Sequence, residues 1–157
     1  MSFVNQDVVN YNNVEGQTQL GKNLGYKMGK GRCEFTATGG KAIGAYGLGL
    51  IVPKGAVVTR AWYKVLTTFT SSTDAATIAL KIVSANDVVS AIAISNGANP
   101  WDAGGPVTGV PVTQTLSTWL TTTADSEVTA TVAVEALTAG KLVVFVEWAY
   151  LGDVALT

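Results

Sequence analysis

The chain has 157 residues, 48% of them apolar and 13% charged, with no histidine and a single cysteine, Cys33. That length fits one domain, or a domain with an arm, and can bury a core without disulfides or metals. The charge is about half that of an average soluble domain, which excludes a disordered chain and implies that partners cover much of the surface. The missing histidines remove His-based triads and dyads and the ordinary zinc sites, and one thiol leaves no disulfide within the chain.

Residues 1–44 are rich in Asn, Gly, Gln and Lys and hold no sustained period of 2 or 3.6. Glycines at 16, 21, 25, 29, 31, 39, 40 and 44 oppose both a helix and a packed strand. The expectation is an extended N-terminal arm that gains order on a partner, with one short strand around Cys33-Glu34-Phe35-Thr36. Met1 to Asp7 shows no basic or apolar signal-type segment, and no run approaches the ~18 apolar residues of a membrane helix. No membrane partner is expected. Charge divides along the chain. Residues 1–64 hold eight basic residues against three acids (+5), and residues 65–157 hold two against eight (−6). The basic residues Lys22, Lys27, Lys30 and Arg32 are the expected electrostatic part of an interface. A protein surface ranks ahead of nucleic acid as their partner, because no run of consecutive basic residues is present.

From about residue 45 the pattern turns to β, giving a second segment over 45–157. Val57 to Leu66 alternates, with Val57, Thr59, Ala61, Tyr63 and Val65 on one face and Val58, Arg60, Trp62, Lys64 and Leu66 on the other. Thr77 to Val83 places Ile78, Leu80 and Ile82 together, and Val88 to Ile94 is a further strand. A long loop follows through Asn96-Gly97 and Asn99-Pro100-Trp101 to Pro106. Glu127 to Glu135 sets Val128, Ala130, Val132 and Val134 on one face. Leu137 to Lys141 reads as a hairpin into Leu142 to Tyr150, which is apolar on both faces. Period 2 with β-branched residues marks half-buried strands. Short connections without a helical stretch predict an all-β chain, an antiparallel β-sandwich or jelly-roll-like domain.

Little in this pattern carries chemistry. Asp125 and Glu127 could share a face as a carboxylate pair but read as solvated turn acids. Asp74 and Asp102 suit Asx-type bonds to nearby amides. Met28-Gly29-Lys30-Gly31 and Gly39-Gly40-Lys41-Ala42 lack the spacing and context of a phosphate loop. Cys33 has no base beside it and reads as a buried or interfacial residue. Trp62 and Trp148 suit core or intersubunit packing. Trp101, in its Pro/Gly loop, is either an interface anchor, a sugar platform, or a lid folded back on its own domain. No enzyme activity and no cofactor are expected.

Four stretches carry a family resemblance: Val52-Pro53-Lys54-Gly55-Ala56-Val57-Val58, Thr67 to Leu80, Ala91 to Gly104, and Val132 to Val143. They resemble virion structural proteins of tailed bacteriophages, of the capsid decoration (cement) and head-fibre type. The resemblance does not reach residues 1–44. It implies a non-enzymatic protein on the capsid surface of the virion, bound to the major capsid protein and stabilising the shell, and homo-oligomeric, with a trimer first. The alternative is a carbohydrate- or receptor-binding module of a head or tail fibre. Trp101, Trp148 and the four basic residues are the expected interface.

Overall fold

The structure, a computed structural model, describes residues 27–85, 87–104, 109–110 and 120–150. Nine strands occur there: β1 (Lys27–Thr36), β2 (Gly44–Val52), β3 (Ala56–Ser71), β4 (Thr77–Lys81), β5 (Val89–Ala93), β6 (Gly109–Val110), β7 (Leu120–Thr121), β8 (Ser126–Ala133) and β9 (Leu137–Tyr150). They form two antiparallel sheets. One runs β1-β9-β3-β6, with β7 also on β3, and the other runs β2-β8-β4-β5. The inner faces pack into one core, as expected of a β-sandwich.

The alternation seen in the sequence sets which side chains enter that core. Ala61, Tyr63 and Val65 of β3, Leu142, Val144 and Val146 of β9, Ile78 and Leu80 of β4, and Val128, Ala130 and Val132 of β8 are all buried. The face of β3 inverts near its start. Val58 pairs with Trp148 but Arg60 pairs with Glu147, so Thr59 is an extra residue and a bulge. Val58 therefore shares the core with Ala61, although the two differ in parity. Buried Thr122 pins the turn before β3. Its hydroxyl accepts from Ala56 N (2.9 Å) and donates to Pro53 O (2.6 Å).

Two expectations change. Residues 27–36 are a full strand paired with β9, and Cys33, Phe35 and Ala37 lie in the core. The boundary between arm and sandwich is thus not at residue 44, and residues 1–26 lie outside the described residues. Glycine does not prevent this strand, because large side chains occupy the space that a Cβ would take: Trp148 over Gly29 and Leu50 over Gly31. The second change concerns Leu137 to Lys141, which is the start of β9 paired with β3. It is no hairpin, because β8 and β9 belong to different sheets. The chain crosses between sheets at Val134-Glu135-Ala136, where Val134 takes φ 70° and is exposed. The next residue, Leu137, is buried between the sheets and anchors the crossing.

Candidate interface on the outer face of the larger sheet

β1, β9 and β3 lie side by side, and their registers fix which outward residues meet. Arg32, Phe145 and Trp62 form one row, Glu34, Val143 and Lys64 the next, and Lys30, Glu147 and Arg60 a third. Trp62 and Phe145 stack across the strands, with ring centres 5.2 Å apart and planes 13° from parallel. The Arg60 guanidinium sits over the indole, 4.4 Å from the ring centre, a cation–π contact. Met28 adds an exposed thioether at one end. Glu34 is held by Lys141 (2.9 Å) and Arg32 (3.5 Å). The hydrogen bond and charge of Lys141, with Arg32 behind them, lower the Glu34 carboxyl from its usual range.

Lys30, Arg32, Arg60, Lys64 and Lys141 thus face outward on this sheet against two acids, Glu34 and Glu147. The opposite sheet presents a different surface. Its outward residues include Ala45, Thr77, Ala79, Thr131 and Ala133, with Glu127 and Lys81 as the charged ones on β8 and β4. A basic, partly aromatic face on one side and a sparsely charged one on the other suit two different contacts. Aromatic and Arg side chains are the residue types enriched at the centres of interfaces.

The expected interface residues separate in the structure. Lys30 and Arg32 lie on the basic face. Lys27 is the first residue of β1, opposite Tyr150, and Lys22 lies outside the described residues. Trp148 turns inward and packs on the core over Gly29. Trp101 is wholly buried. Its indole stacks on Tyr63 at 5.0 Å, meets Phe69 edge-on, and donates to Ile92 O at 3.0 Å. Tyr63 in turn donates to Pro100 O. The loop is therefore folded back on its own domain, and Trp101 offers no face to a sugar or a partner. Arg60, Lys64 and Phe145 were not singled out from sequence, and Trp62 was read as core or intersubunit packing, yet the alternation of Val57 to Leu66 already set Arg60, Trp62 and Lys64 on one face.

The acids mostly serve loops. Asp125 accepts from Lys54 N in the turn before β3, and Glu127 accepts from Gly49 N at the irregularity within β2, both at 2.8 Å. The Asx-type bonds expected of Asp74 and Asp102 are not seen among the described residues, whereas Asp87 accepts from the amides of Ile82, Val83 and Ser84. Burial, with the Glu127 charge adding to it, pushes the Cys33 thiol up to about 11. It is protonated at neutral pH and poorly nucleophilic. Among the described residues no group of His, Cys, Asp and Glu is placed to hold a metal ion.

No family model matches the chain, and no curated protein sequence does. Solved structures with the same fold do match. A chain in the acid-stable capsid structure of Helicobacter pylori bacteriophage KHP30 superposes with TM-score 0.57 at 16% identity, covering 80% of this chain and 89% of that one. A chain in the capsid of Ralstonia phage GP4 gives 0.55 at 19%, covering 81% and 86%. A chain in the capsid asymmetric unit of cyanophage Pam1 gives 0.56 at 20%, covering 81% and 87%. These likenesses establish the fold.

Proposed function

We propose that this chain is a non-enzymatic structural protein of a tailed-bacteriophage virion. It decorates the outside of the capsid shell, binds the major capsid protein and stabilises the shell. The observation that carries this reading is the agreement of fold with chains from three phage capsids, each covered over 86–89% of its own length. The correspondence is with nearly whole chains and not with a module inside larger ones.

The basic face supplies the attachment. Lys30, Arg32, Arg60 and Lys64 surround the Trp62–Phe145 stack, so an acidic, partly apolar surface of the shell protein is the complementary partner. Many copies on one lattice offset a modest affinity of each. The chain works as a homo-oligomer, trimer first, since its second outer face is sparsely charged and its exposed apolar residues away from the basic face, such as Ile51 and Val134, are costly to leave wet at about 25 cal/mol per Å².

The test is a three-dimensional map of the assembled particle. The sandwich is expected on the outer shell surface, with β1, β9 and β3 toward the major capsid protein. Density for it inside the shell, or its absence from the particle, would overturn the proposal.

A further inference from the structure

Asn96 is the one asparagine of the chain that is followed by glycine. It sits in the loop after β5, where successive turns lead into the buried Trp101. Asn96 N donates to Ala93 O at 3.1 Å, and Asn99 N donates to Asn96 O at 2.8 Å. The side chain is folded back over its own backbone, because Ala98 N donates to Asn96 Oδ1 at 2.9 Å. This is an Asx-turn. Asn96, Gly97 and Ala98 are all exposed.

That turn assembles the parts of a reaction. The ring closed by the Ala98 hydrogen bond contains both the Asn96 side-chain carbon Cγ and the Gly97 amide nitrogen, so the two are held near each other. Gly97 N makes no hydrogen bond among the described residues, and the residue is open to water. Its nitrogen can lose the amide proton to solvent hydroxide and attack Cγ. Negative charge then develops on Oδ1. The Ala98 amide already faces that oxygen at hydrogen-bond distance, the geometry of an oxyanion donor. Gly97 has no Cβ to obstruct the approach. Asn99 cannot follow the same course, since it precedes Pro100, whose nitrogen carries no proton.

We infer that Asn96 is a site of spontaneous covalent modification, at which the Gly97 nitrogen closes a succinimide on the Asn96 side chain with help from the Ala98 amide. The bond from Gly97 N to Cγ forms and the Cγ–Nδ2 bond breaks. Ammonia leaves, taking its proton from water. A second water then opens the ring. Its attack at Cγ leaves aspartate in ordinary linkage. Its attack at the main-chain carbonyl leaves isoaspartate, with the chain rerouted through Cβ and Cγ. Either product adds one negative charge, and no oxidant or reductant takes part. In isoaspartate the Asn96 carbonyl that accepts from Asn99 N becomes a free carboxylate, so the turn leading to Pro100 and Trp101 is lost. This chemistry does not depend on the proposed role on the capsid.

The test is incubation of the full, folded chain in mildly alkaline buffer, followed by ammonia release, peptide mass spectrometry and enzymatic methylation of isoaspartate. Modification is expected at Asn96 ahead of every other asparagine, faster as pH rises, and at least as fast as in the chain unfolded in urea. Gly97→Ala should slow it roughly tenfold or more, since a Cβ restricts the rotation that brings the amide to Cγ. That variant keeps the fold, because a Cβ at Gly97 meets nothing within 4 Å and the residue lies outside the left-handed region. The isoaspartate form, separated by ion exchange, should melt below the unmodified protein, whereas Asn96→Asp should melt close to wild type. Much slower modification of the folded chain than of the chain in urea would overturn the inference, for the turn would then protect Asn96. Gly97→Ala modified as fast as wild type would overturn it as well. An isoaspartate form that melts with the unmodified protein would overturn the loss of the turn.

Discussion

Glu135 shows how one side chain secures a change of sheet. It follows the γ-turn at Val134, across which the Glu135 amide donates to Ala133 O, and accepts from the Ser71 hydroxyl, from Thr73 through amide and hydroxyl, and from Ala75 N. The chain crosses from β3 to β4 and from β8 to β9 at this point, so one carboxylate ties both crossings. The Ser71 hydrogen bond first, then the Thr73 amide, lower its carboxyl from the usual range. A carboxyl lowered on folding adds stability that is complete above the unfolded value, about 4.3 for Glu, and is lost as pH falls through the folded value. Glu135→Gln should therefore flatten the acid limb of a pH series of urea midpoints below about pH 5. An acid limb as steep as wild type would show that Glu135 does not couple to folding. Sequence could not single out Glu135, since its partners lie about sixty residues away. Nor could it decide the fate of Trp101, for a Trp in a Pro/Gly loop reads alike whether it points out or in. Only Tyr63 and Ile92 beneath it settle the matter.

At the scale of the element, alternation with β-branched residues made β3, β4, β5 and β8 legible, and most of β9. It failed at β1 because glycines at 29 and 31 interrupt the pattern, and the side chains that fill the gaps, Trp148 and Leu50, come from other strands. It failed at Leu137 to Lys141 because a turn into a hairpin and a crossing between sheets use the same local residues. β1 is integral to the sandwich, with Cys33 and Phe35 in the core. A chain lacking residues 1–26 should keep the sandwich, with cooperative melting and wild-type β circular dichroism. A chain lacking residues 1–36 should not fold, because it loses Phe35 and uncovers one edge of β9. Burying a large aromatic is worth roughly 3–5 kcal/mol against a total stability of about 5–15. Cooperative melting of the shorter chain would show β1 to be dispensable.

For the whole molecule, the sequence revealed a basic first part and an acidic second part, but not that folding would sort them by face. Arg60 and Lys64 belong with Lys30 and Arg32 only because β3 and β1 flank β9. Among the acids of the second part, Asp87, Asp125 and Glu135 bond loop amides, and Glu127 bonds an amide within β2. The result is a sandwich with one basic, aromatic face and one sparsely charged face. Steering by such a face acts mainly on the rate of encounter and is screened within about 8 Å at physiological salt.

The most direct test of docking through that face is the rate at which the protein binds undecorated capsids, measured from low salt to roughly 0.5 M. Wild type should slow steadily as salt rises. A variant carrying Lys30→Glu, Arg32→Glu, Arg60→Glu and Lys64→Glu should bind tenfold more slowly or worse at low salt, with a smaller change in dissociation. Rates that stay flat across the salt series, with the variant binding as wild type, would contradict docking through the β1, β9 and β3 face.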